Sequence, residues 1–519
     1  MPTKALTSAS LLVLVHAALA LAMPVSGAAQ EQLRYRLIDL GTLGGPQSFG
    51  DGGHNAANIN NQGIAAGVAD TATLNPNFPN FGLNGINGPD QSLDPFVHHA
   101  FLAKNGVLTD LGTLPGASNS SSPTWVTENG WVSGVSLNGS IDPVTGWIAQ
   151  HAVLWKDGKI IDLGTLGGFE SGTSQVNSKG QVTGLSTNDV PDPLSLIYFL
   201  IGGGFTNGTQ TRAFRWDSAT GMHDLGTLGG PDAEGSAINE RGQIVGASDT
   251  NSTLNPVTQN FTVEPFFWEN GTMTGLGTLG GTLGLPSGLN NRGEVNGTSN
   301  LAGDTCTHIF LWSAPGPMRD LGSPLGGCLL GEVGGITDTG EFVGQGLTAD
   351  EQKLHAFIWK NGTFTDLGRL PDLDDTCVGA FGGPNSRGQV VGQAVENLCN
   401  GPRAHAFIWQ DGRMTDLNVF VPPSSELTLV EVEKINDRGE MFGIGTTPSG
   451  DFHAFLLVPC EQRHEGCVDG ADVAVRNEAR PMMSPATTRG LPERQRAMLR
   501  NFRNHWMARY HGLASVPAK

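Results

Sequence analysis

The chain has 519 residues and a formal net charge of −19 at pH 7, so nucleic acid is excluded as a partner of the main body on electrostatic grounds. Charged residues make up only 15%, whereas 74 residues are Gly. This composition disfavours long helices and favours many short strands joined by tight turns. The length is enough for two to four ordinary domains or for one large repeat domain.

The N-terminal residues 1–28 have the pattern of a secretory signal peptide. Lys4 supplies the positive charge, Leu11 to Ala22 the apolar run, and Ser26 to Ala28 a small-residue cleavage site. A membrane anchor is the alternative, but the apolar run is short for a bilayer span. The sequence therefore predicts a soluble mature chain that is secreted, either to the periplasm or to the extracellular space.

One pattern of four strands recurs along residues 35–458. Its clearest copy is HAFIWKNGTFTDLG, His355 to Gly368, which reads as an apolar strand, a tight turn and a second strand. The terminal Asp-Leu-Gly element recurs at intervals of 45 to 71 residues, which indicates propeller-type repeats with insertions. Its eight copies begin at Asp39, Asp110, Asp162, Asp224, Gly275, Asp320, Asp366 and Asp416.

Two glycines mark the first half of every repeat. The first lies in a turn after an Ile-Asn-like pair and accepts a positive φ, which predicts a tight hairpin; its copies are Gly63, Gly130, Gly180, Gly242, Gly293, Gly340, Gly388 and Gly439. The second follows four residues later and predicts a bulge or a close backbone approach; its copies are Gly67, Gly134, Gly184, Gly246, Gly297, Gly344, Gly392 and Gly443.

The third strand of each repeat begins at a position that is usually His. Phe and Trp alternate behind it, so both should face a neighbouring sheet. A catalytic His needs one placement beside one partner, so we expect the repeated His to be structural and to bond neighbouring backbone. We expect the repeated Asp to bond turn amides. The starting residues are His99, His151, Arg212, Glu264, His308, His355, His405 and His453.

The two ends of the repeat region complement each other. The first Asp-Leu-Gly strand has no His-Ala-Phe strand before it, and the last His-Ala-Phe strand has no Asp-Leu-Gly strand after it. The sequence therefore predicts an all-β fold, an eight-bladed β-propeller of four-stranded blades closed by the strand Tyr35 to Gly41. A linear β-solenoid is the alternative, but it would leave these two strands unpaired.

The strand order places the long insertions on one face of such a propeller. They are Thr71 to Val97, Leu137 to Ala149, Thr187 to Gln210 and Thr250 to Thr262. Long loops on a rigid scaffold commonly bind ligands, although their aromatic residues can also pack the loops together. The candidate binding residues are Phe78, Phe81, Trp147, Tyr198, Phe199 and Phe205.

Six cysteines fit an exported chain, although six allow fifteen disulfide connectivities. Sequence separation favours the pairs Cys306–Cys328 and Cys377–Cys399, and Cys460 with Cys467 would close a short loop. No zinc-like Cys/His spacing occurs, so we predict no metal site.

Other chemistry finds little support in the sequence. The GTLGG loops are not followed by the Lys-Ser/Thr of a phosphate loop. The acidic run Pro371 to Asp375 does not match a calcium-binding loop and is read as a solvated acidic loop. We predict no cofactor and no catalytic residues, while a carboxylate pair formed only by folding stays open.

The C-terminal residues differ from the body. Residues 459–479 read as a disulfide-closed linker, and residues 480–519 carry eight basic residues and one acidic residue. Within them, residues 492–511 have the pattern of a basic amphipathic helix, with apolar Leu499, Phe502, Trp506 and Tyr510 at helical spacing. Docking on the acidic body or a free tail is favoured over membrane contact, which would be confined to this helix.

The compound motif resembles that of the bacterial extracellular repeat proteins of the HAF family, over residues 35–458. The resemblance implies a repeat scaffold and supplies no catalytic residues. Arg212, Glu264, Gly275 and the strand near Asn385 depart from it. The strand plan is also similar to the kelch plan.

The sequence thus predicts an exported, monomeric binding or cell-surface structural module with a glycan or protein ligand on the long-loop face. A secreted carbohydrate-active hydrolase or lyase that uses carboxylates on this face is the alternative.

Overall fold

The structure is a computed structural model that describes residues 34–50, 58–76, 95–116, 118–143, 148–192, 208–253, 261–350, 353–370, 373, 375–396, 403–460 and 467–469. Most of these residues lie in β-strands, which confirms the all-β prediction. The predicted signal peptide, most of the linker and the basic tail with its helix 492–511 lie outside the described residues.

After a first strand, β1 (Arg34–Asp39), the strands pair in chain order as antiparallel quartets, numbered here as units 1 to 8. Single parallel bridges, Val263 to Leu283 and Leu354 to Cys377, also join unit 4 to unit 5 and unit 6 to unit 7. Unit 1 has β2 (Gly44–Phe49), β3 (Ile64–Leu74), β4 (Phe96–Lys104) and β5 (Val107–Asp110). Unit 2 has β6 (Ser121–Val126), β7 (Val132–Ile141), β8 (Ile148–Lys156) and β9 (Lys159–Asp162). Unit 3 has β10 (Ser171–Val176), β11 (Val182–Pro191), β12 (Thr209–Asp217) and β13 (Gly221–Asp224). Unit 4 has β14 (Ala233–Ile238), β15 (Ile244–Asp249), β16 (Val263–Glu269) and β17 (Thr272–Gly275).

The remaining units repeat the same order. Unit 5 has β18 (Gly280–Leu289), β19 (Glu294–Leu301), β20 (Thr307–Ser313) and β21 (Arg319–Gly322). Unit 6 has β22 (Gly326–Val333), β23 (Phe342–Thr348), β24 (Leu354–Lys360) and β25 (Thr363–Asp366). Unit 7 has β26 (Asp375–Gly382), β27 (Val390–Val395), β28 (Ala404–Gln410) and β29 (Arg413–Asp416). Unit 8 has β30 (Thr428–Ile435), β31 (Met441–Thr446), β32 (Phe452–Pro459) and, as its fourth strand, β1. A 3-10 helix (Leu417–Phe420) precedes β30, and a last strand, β33 (Cys467–Asp469), follows β32.

The N-terminal strand β1 joins the two ends of the repeat region. It pairs antiparallel with β32, and Tyr35 lies opposite Pro459 while Asp39 lies opposite Phe455. Its other edge pairs with β33, which a Cys460–Cys467 disulfide ties to the end of β32. The closing strand is therefore held on both edges by the C-terminal part of the chain.

Hydrophobic clusters join each unit to the next. Between units 1 and 2, for example, Ala100 packs in one cluster with Val153 and Trp155. The last cluster contains Leu456 of unit 8 and Phe101 of unit 1, so the circuit of interfaces closes on itself. Four-stranded antiparallel sheets packed side by side around a closed circuit are the arrangement of a β-propeller. The repeated aromatic positions of the third strands supply the large side chains of these interfaces.

The second glycine of each repeat is required by close packing. In unit 4, a Cβ on Gly246 would lie 1.9 Å from the Glu234 carbonyl oxygen and 2.6 Å from the Phe266 ring. The first strand is bulged between Gly235 and Ala237, opposite this position, and Phe266 pairs directly with Gly246. The same contacts recur at most of the other copies, so the predicted close approach and the bulge both occur.

We predict that Gly246→Ala destabilises the protein by about 1–3 kcal/mol, because the added methyl group has no room between backbone and ring. Thermal unfolding of the purified protein would measure the loss. Gly172→Ala is the matched control, since its Cβ would meet its nearest atom at 3.6 Å, an ordinary contact. Equal stability of the two variants would contradict this account.

An asparagine in the first turn of most units bonds the neighbouring unit. In unit 4, Asn239 Oδ1 accepts hydrogen bonds from the N–H groups of Arg241 and Gln243, while Asn239 Nδ2 donates to the Asn290 carbonyl at 3.0 Å. Equivalent bonds to the next unit run from Asn60 to Thr127, Asn177 to Asn239, Asn290 to Thr337, Asn385 to Asn436, and Asn436 to Asn60. The last bond crosses from unit 8 to unit 1, so this set of bonds also spans the junction between the two ends of the repeat region.

Units 2 and 6 have Thr at this position, and Thr has no amide group to donate. Each hydroxyl still accepts from the N–H four residues on, at Trp131 and Glu341. In unit 2, the bond to the next unit is made instead by Asn129 Nδ2 to the Ser178 carbonyl. The turn therefore needs a short side-chain acceptor, and the amide adds the contact between units.

We predict that Asn239→Ala lowers the free energy of unfolding by about 1–3 kcal/mol, since it leaves buried turn amides and the Asn290 carbonyl without this partner. Asn239→Thr should cost less, because Thr keeps the acceptor of the turn and loses only the bond between units. Chemical denaturation of both variants checks the order. A Thr variant as unstable as the Ala variant would show that the turn acceptor contributes nothing.

Candidate binding face

The two faces of the circuit differ in their connections. The short-turn face carries the turns between the first and second strands and between the third and fourth strands of each unit. The long-loop face carries the connections between second and third strands and those between units. In units 1 to 3 the second strands β3, β7 and β11 extend to 11, 10 and 10 residues towards the long-loop face, whereas β15 of unit 4 has 6.

The six aromatic residues that the sequence predicts as binding residues lie outside the described residues; they are Phe78, Phe81, Trp147, Tyr198, Phe199 and Phe205. The described stems of these insertions instead expose apolar side chains that the sequence analysis did not single out. Leu74 is 62% exposed, Ile141 56%, and both Val190 and Phe169 44%. These four lie on the long-loop side of units 1 to 3, with Phe169 in the connection that enters unit 3. A fifth exposed apolar side chain, Val107, lies beside a short turn of unit 1 on the opposite face.

The repeated His and Asp face each other across the outer hairpin of each unit. His99 Nδ1 lies 2.9 Å from an Asp110 carboxylate oxygen, and Asp110 also accepts from the Gly112 N–H at 2.7 Å. The same pair occurs as His151–Asp162, His308–Asp320, His355–Asp366, His405–Asp416 and, across the closure, His453–Asp39. The expected structural role of both residues fits this geometry. The bond from the ring to the Asp side chain was not expected, whereas the expected bond to neighbouring backbone occurs at His453, whose ring also bonds the Pro46 backbone.

Units 3 and 4 lack the His, and in each of them the residue pair at the His and Asp positions avoids an unfavourable contact. In unit 3, Arg212 replaces His and its Nε donates to Asp224 at 2.9 Å. In unit 4, Glu264 replaces His, and Gly275 replaces the Asp that would otherwise face it. A Cβ on Gly275 would lie 3.2 Å from a Glu264 carboxylate oxygen. The double change therefore avoids two opposed carboxylates.

Electrostatics at the closing pair follow from these contacts. Burial alone would raise the pKa of Asp39, but the hydrogen bonds from His453 and from the Gly41 N–H hold it below its ordinary value. The bond to Asp39 raises the pKa of His453 above its ordinary value, although burial opposes that shift. The pKa values of Asp110, Asp162 and Asp366 are lowered in the same way, with burial again the opposing effect.

Two buried carboxylates beneath the long-loop face differ in their partners. Asp70 accepts from the Gln47 N–H at 2.9 Å and lies 2.7 Å from His98 Nδ1. Asp249 occupies the same position in unit 4, where Val263 replaces His98, so its carboxylate has no imidazole partner. Burial, followed by the charges of Asp232 and Asp192, raises the pKa of Asp249 to about 8. Asp70 and Asp249 are both fully buried, so neither reaches a ligand at the surface.

Charge is distributed unequally between the faces. The described connections of the long-loop face are counted from the second glycine to the residue before the His position, and from Asp-Leu-Gly to the next unit. They contain 19 acidic and 3 basic residues. The acidic residues are Asp39, Asp70, Asp110, Asp142, Asp162, Glu170, Asp189, Asp192, Asp224, Asp232, Asp249, Asp304, Asp320, Asp350, Asp366, Glu396, Asp416, Glu426 and Asp451, and the basic ones are Lys353, Arg369 and Arg403.

The turns of the short-turn face balance, with 11 acidic and 11 basic residues in their described parts. The acidic residues are Glu128, Asp157, Asp217, Glu240, Glu269, Glu294, Asp338, Glu341, Asp411, Asp437 and Glu440. The basic residues are Lys104, Lys156, Lys159, Lys179, Arg241, Arg292, Arg319, Lys360, Arg387, Arg413 and Arg438. Several of them pair locally, as Arg292 does with Glu294 and Lys360 with Glu341. The negative potential of the protein is therefore concentrated on the long-loop face.

Disulfides lie at two places. Cys306 and Cys328 join the insertion of unit 5 to the connection that enters unit 6, with a Cα–Cα distance of 4.7 Å, on the long-loop face. The second is the Cys460–Cys467 bond beside the closing strand. Cys399 lies outside the described residues, so the expected Cys377–Cys399 bond stays a prediction.

The described residues contain neither a metal-binding cluster nor a membrane-spanning helix. No group of three or more His, Cys, Asp or Glu side chains there has an arrangement that could hold a metal ion. None of the described helices is long and apolar enough to span a membrane. The acidic run Pro371 to Asp375 is described only in part.

No family model matches the chain, and no curated protein matches it. Among solved structures, it is similar to the β-propeller domain of the Trilobed protease from Pyrococcus furiosus, with 10% identity over 72% of this chain and 95% of that chain and a TM-score of 0.39. It is also similar to a gluconolactonase from Xanthomonas campestris, with 12% identity over 48% and 79% of the two chains and a TM-score of 0.25. A sialidase from Trypanosoma rangeli matches with 12% identity over 58% and 56% and a TM-score of 0.29.

The closing pair predicts a specific pH dependence of stability. The contribution of Asp39 is present above its unfolded pKa of about 4 and is lost as pH falls through its lowered folded value. The contribution of His453 is present below its unfolded pKa of about 6.5 and is lost as pH rises through its raised folded value. His453→Gln should therefore lower the melting temperature most near pH 5 (about midway between the two), and by less at pH 3 and pH 9.

Thermal melts of wild type and His453→Gln across that range measure the difference. Because both groups are partly exposed, the pair should contribute no more than about 1 kcal/mol. His223→Gln, at an exposed His of β13, is the control and should show no maximum near pH 5. A pH-independent difference for His453→Gln would refute an ionic contribution.

Proposed function

We propose that this protein is an exported eight-bladed β-propeller of the HAF type that binds a glycan or protein ligand on its long-loop face. Units 1 to 8 would be the blades, and β1 would complete the last of them. The proposal rests on one observation: the long insertions, four of the five exposed large apolar side chains and most of the excess negative charge lie on the same face of a closed circuit. A repeat with a purely structural role would not require long insertions on one face and short turns on the other.

The scaffold is suited to hold such a face in place. The short-turn face has its turn amides and carbonyls occupied by bonds within and between units, as in the Asn239 and Asn436 turns. The insertions begin from strand pairs that continue past the core, such as Leu74 opposite Phe96 and Ile141 opposite Ile148. Their stems are thus fixed by backbone hydrogen bonds, which limits the conformational entropy lost when a ligand binds.

The described residues favour binding over catalysis. A catalytic acid needs both a raised pKa and access to substrate. Asp249 has the raised pKa but is fully buried, and Asp70 is buried in a bond with His98. The repeated His–Asp pairs are equivalent on six units, which favours a structural role.

Export is supported by the two disulfides, since such bonds persist in oxidising compartments.

The proposal predicts that ligand binding depends on the insertions and not on the short turns. Glycan and protein arrays probed with the full mature chain would identify ligands. Replacement of residues 193–207 by a Gly/Ser linker of equal length should weaken binding about tenfold or more, because that insertion is the second longest on the face. The control variant Asp157→Asn/Asp411→Asn, on the short-turn face, should bind as wild type does.

The same ligands would then be tested for turnover. Release of product from any polymer by the wild-type chain would overturn the assignment as a binding module and would favour the hydrolase or lyase alternative. Equal loss of binding in the insertion and short-turn variants would contradict the choice of face.

A further inference from the structure

We propose that the basic C-terminal segment, residues 480–519, docks on the acidic long-loop face of its own propeller. Docking goes beyond the proposed function, because it needs only the charge and shape of this face and no external ligand. A docked segment would cover the region where a ligand is expected to bind.

Charge complementarity identifies the face. The segment carries eight basic residues and one acidic residue. The described long-loop connections carry 19 acidic residues against 3 basic ones, whereas the short-turn face is balanced at 11 and 11. Seven of the 19 carboxylates face an imidazole, one faces Arg212, and Asp249 is fully buried. Five of the other ten are not buried, and they still outnumber the three basic residues; they are Asp189, Asp304, Asp350, Glu426 and Asp451.

Apolar complementarity points to the same face. The segment has Leu499, Phe502, Trp506 and Tyr510 at helical spacing between its arginines. The long-loop side of units 1 to 3 exposes Leu74, Ile141, Val190 and Phe169. Acidic Asp189 lies beside Val190, so this side offers apolar and negatively charged groups together. An amphipathic basic segment would bury its apolar side chains there while its arginines meet carboxylates.

The chain is long enough to reach this face. β33 runs antiparallel to β1, and Asp469 lies opposite Arg34, so the chain leaves β33 at the short-turn end of unit 8. The 22 residues 470–491, which precede the predicted helix 492–511, can span about 70 Å when extended, so this helix can lie on the long-loop face while residues 480–491 lead to it. A strand of ten residues, which is the length of β7, measures about 33 Å. The segment can therefore pass around the edge of the propeller to the opposite face.

Limited proteolysis of the full mature chain with trypsin tests the proposal. Cleavage at Arg494, Arg496, Arg500, Arg503 and Arg509 would be followed by mass spectrometry, with a synthetic peptide of residues 480–519 as the reference. At low ionic strength we expect cleavage in the protein to be at least about tenfold slower than in the peptide, since cleavage tracks the undocked population. At about 0.5 M salt, where the Debye length is only a few ångströms, the difference should disappear.

Two matched triple variants locate the docking face. Asp189→Asn/Asp350→Asn/Glu426→Gln removes three exposed carboxylates from the long-loop face and should bring cleavage to the rate of the free peptide. Glu128→Gln/Asp157→Asn/Asp411→Asn removes three from the short-turn face and should retain protection. Circular dichroism melts of both would check that each is folded.

Four results would overturn the proposal. Cleavage as fast in the protein as in the peptide would show that the segment does not dock, and equal behaviour of the two triple variants would show that docking does not use this face. Protection that disappears on dilution would assign the contact to a second copy of the chain. Flotation of the full chain with anionic vesicles at low salt, together with cleavage as fast as in the peptide when vesicles are absent, would assign the segment to a membrane. None of these results depends on whether the arrays find a ligand.

Discussion

Pairing of β1 with β32 is the contact on which the architecture depends, because it joins residues from opposite ends of the repeat region. Without it, unit 8 would lack its fourth strand and the circuit would end in two open edges. Three other contacts reinforce the same junction: the bond of Asn436 to Asn60, the His453–Asp39 pair, and the hydrophobic cluster that contains Leu456 and Phe101. β33 and its disulfide cover the remaining edge of β1.

Closure explains why so many polar groups recur without a catalytic role. Some of these side chains bond the next unit, and others link the two outer strands of their own unit. Such bonds stabilise every unit of a closed circuit in the same way. The Asn turns and the His–Asp pairs are of this kind. Departures from the repeat are then informative, and those at Glu264 with Gly275 and at Asp249 with Val263 both fall in unit 4. At the first site, Gly275 replaces the Asp that would face Glu264, so two carboxylates do not oppose each other. At the second site, the pKa of the buried Asp249 is raised.

The two faces differ in loop length and in charge, and this difference links the fold to the proposed binding function. The short-turn face is a uniform set of tight turns with balanced charge, and it serves the scaffold. The long-loop face combines the insertions of units 1 to 4, most of the acidic excess and four exposed apolar side chains. An acidic face repels acidic ligands and attracts cationic ones, so under the docking proposal the basic segment of the same chain would compete with a cationic ligand.

The sequence by itself determined the repeat, its strand order and the special roles of its glycines, because strand alternation and turn chemistry are local and recur eight times. It also determined which connections would be long. Only the tertiary structure decided the partners: that His bonds the Asp side chain, that each Asn reaches the next unit, and that Leu74, Ile141 and Val190 remain exposed. These contacts join residues eleven to several hundred positions apart. They depend on how the units pack, which no local pattern encodes.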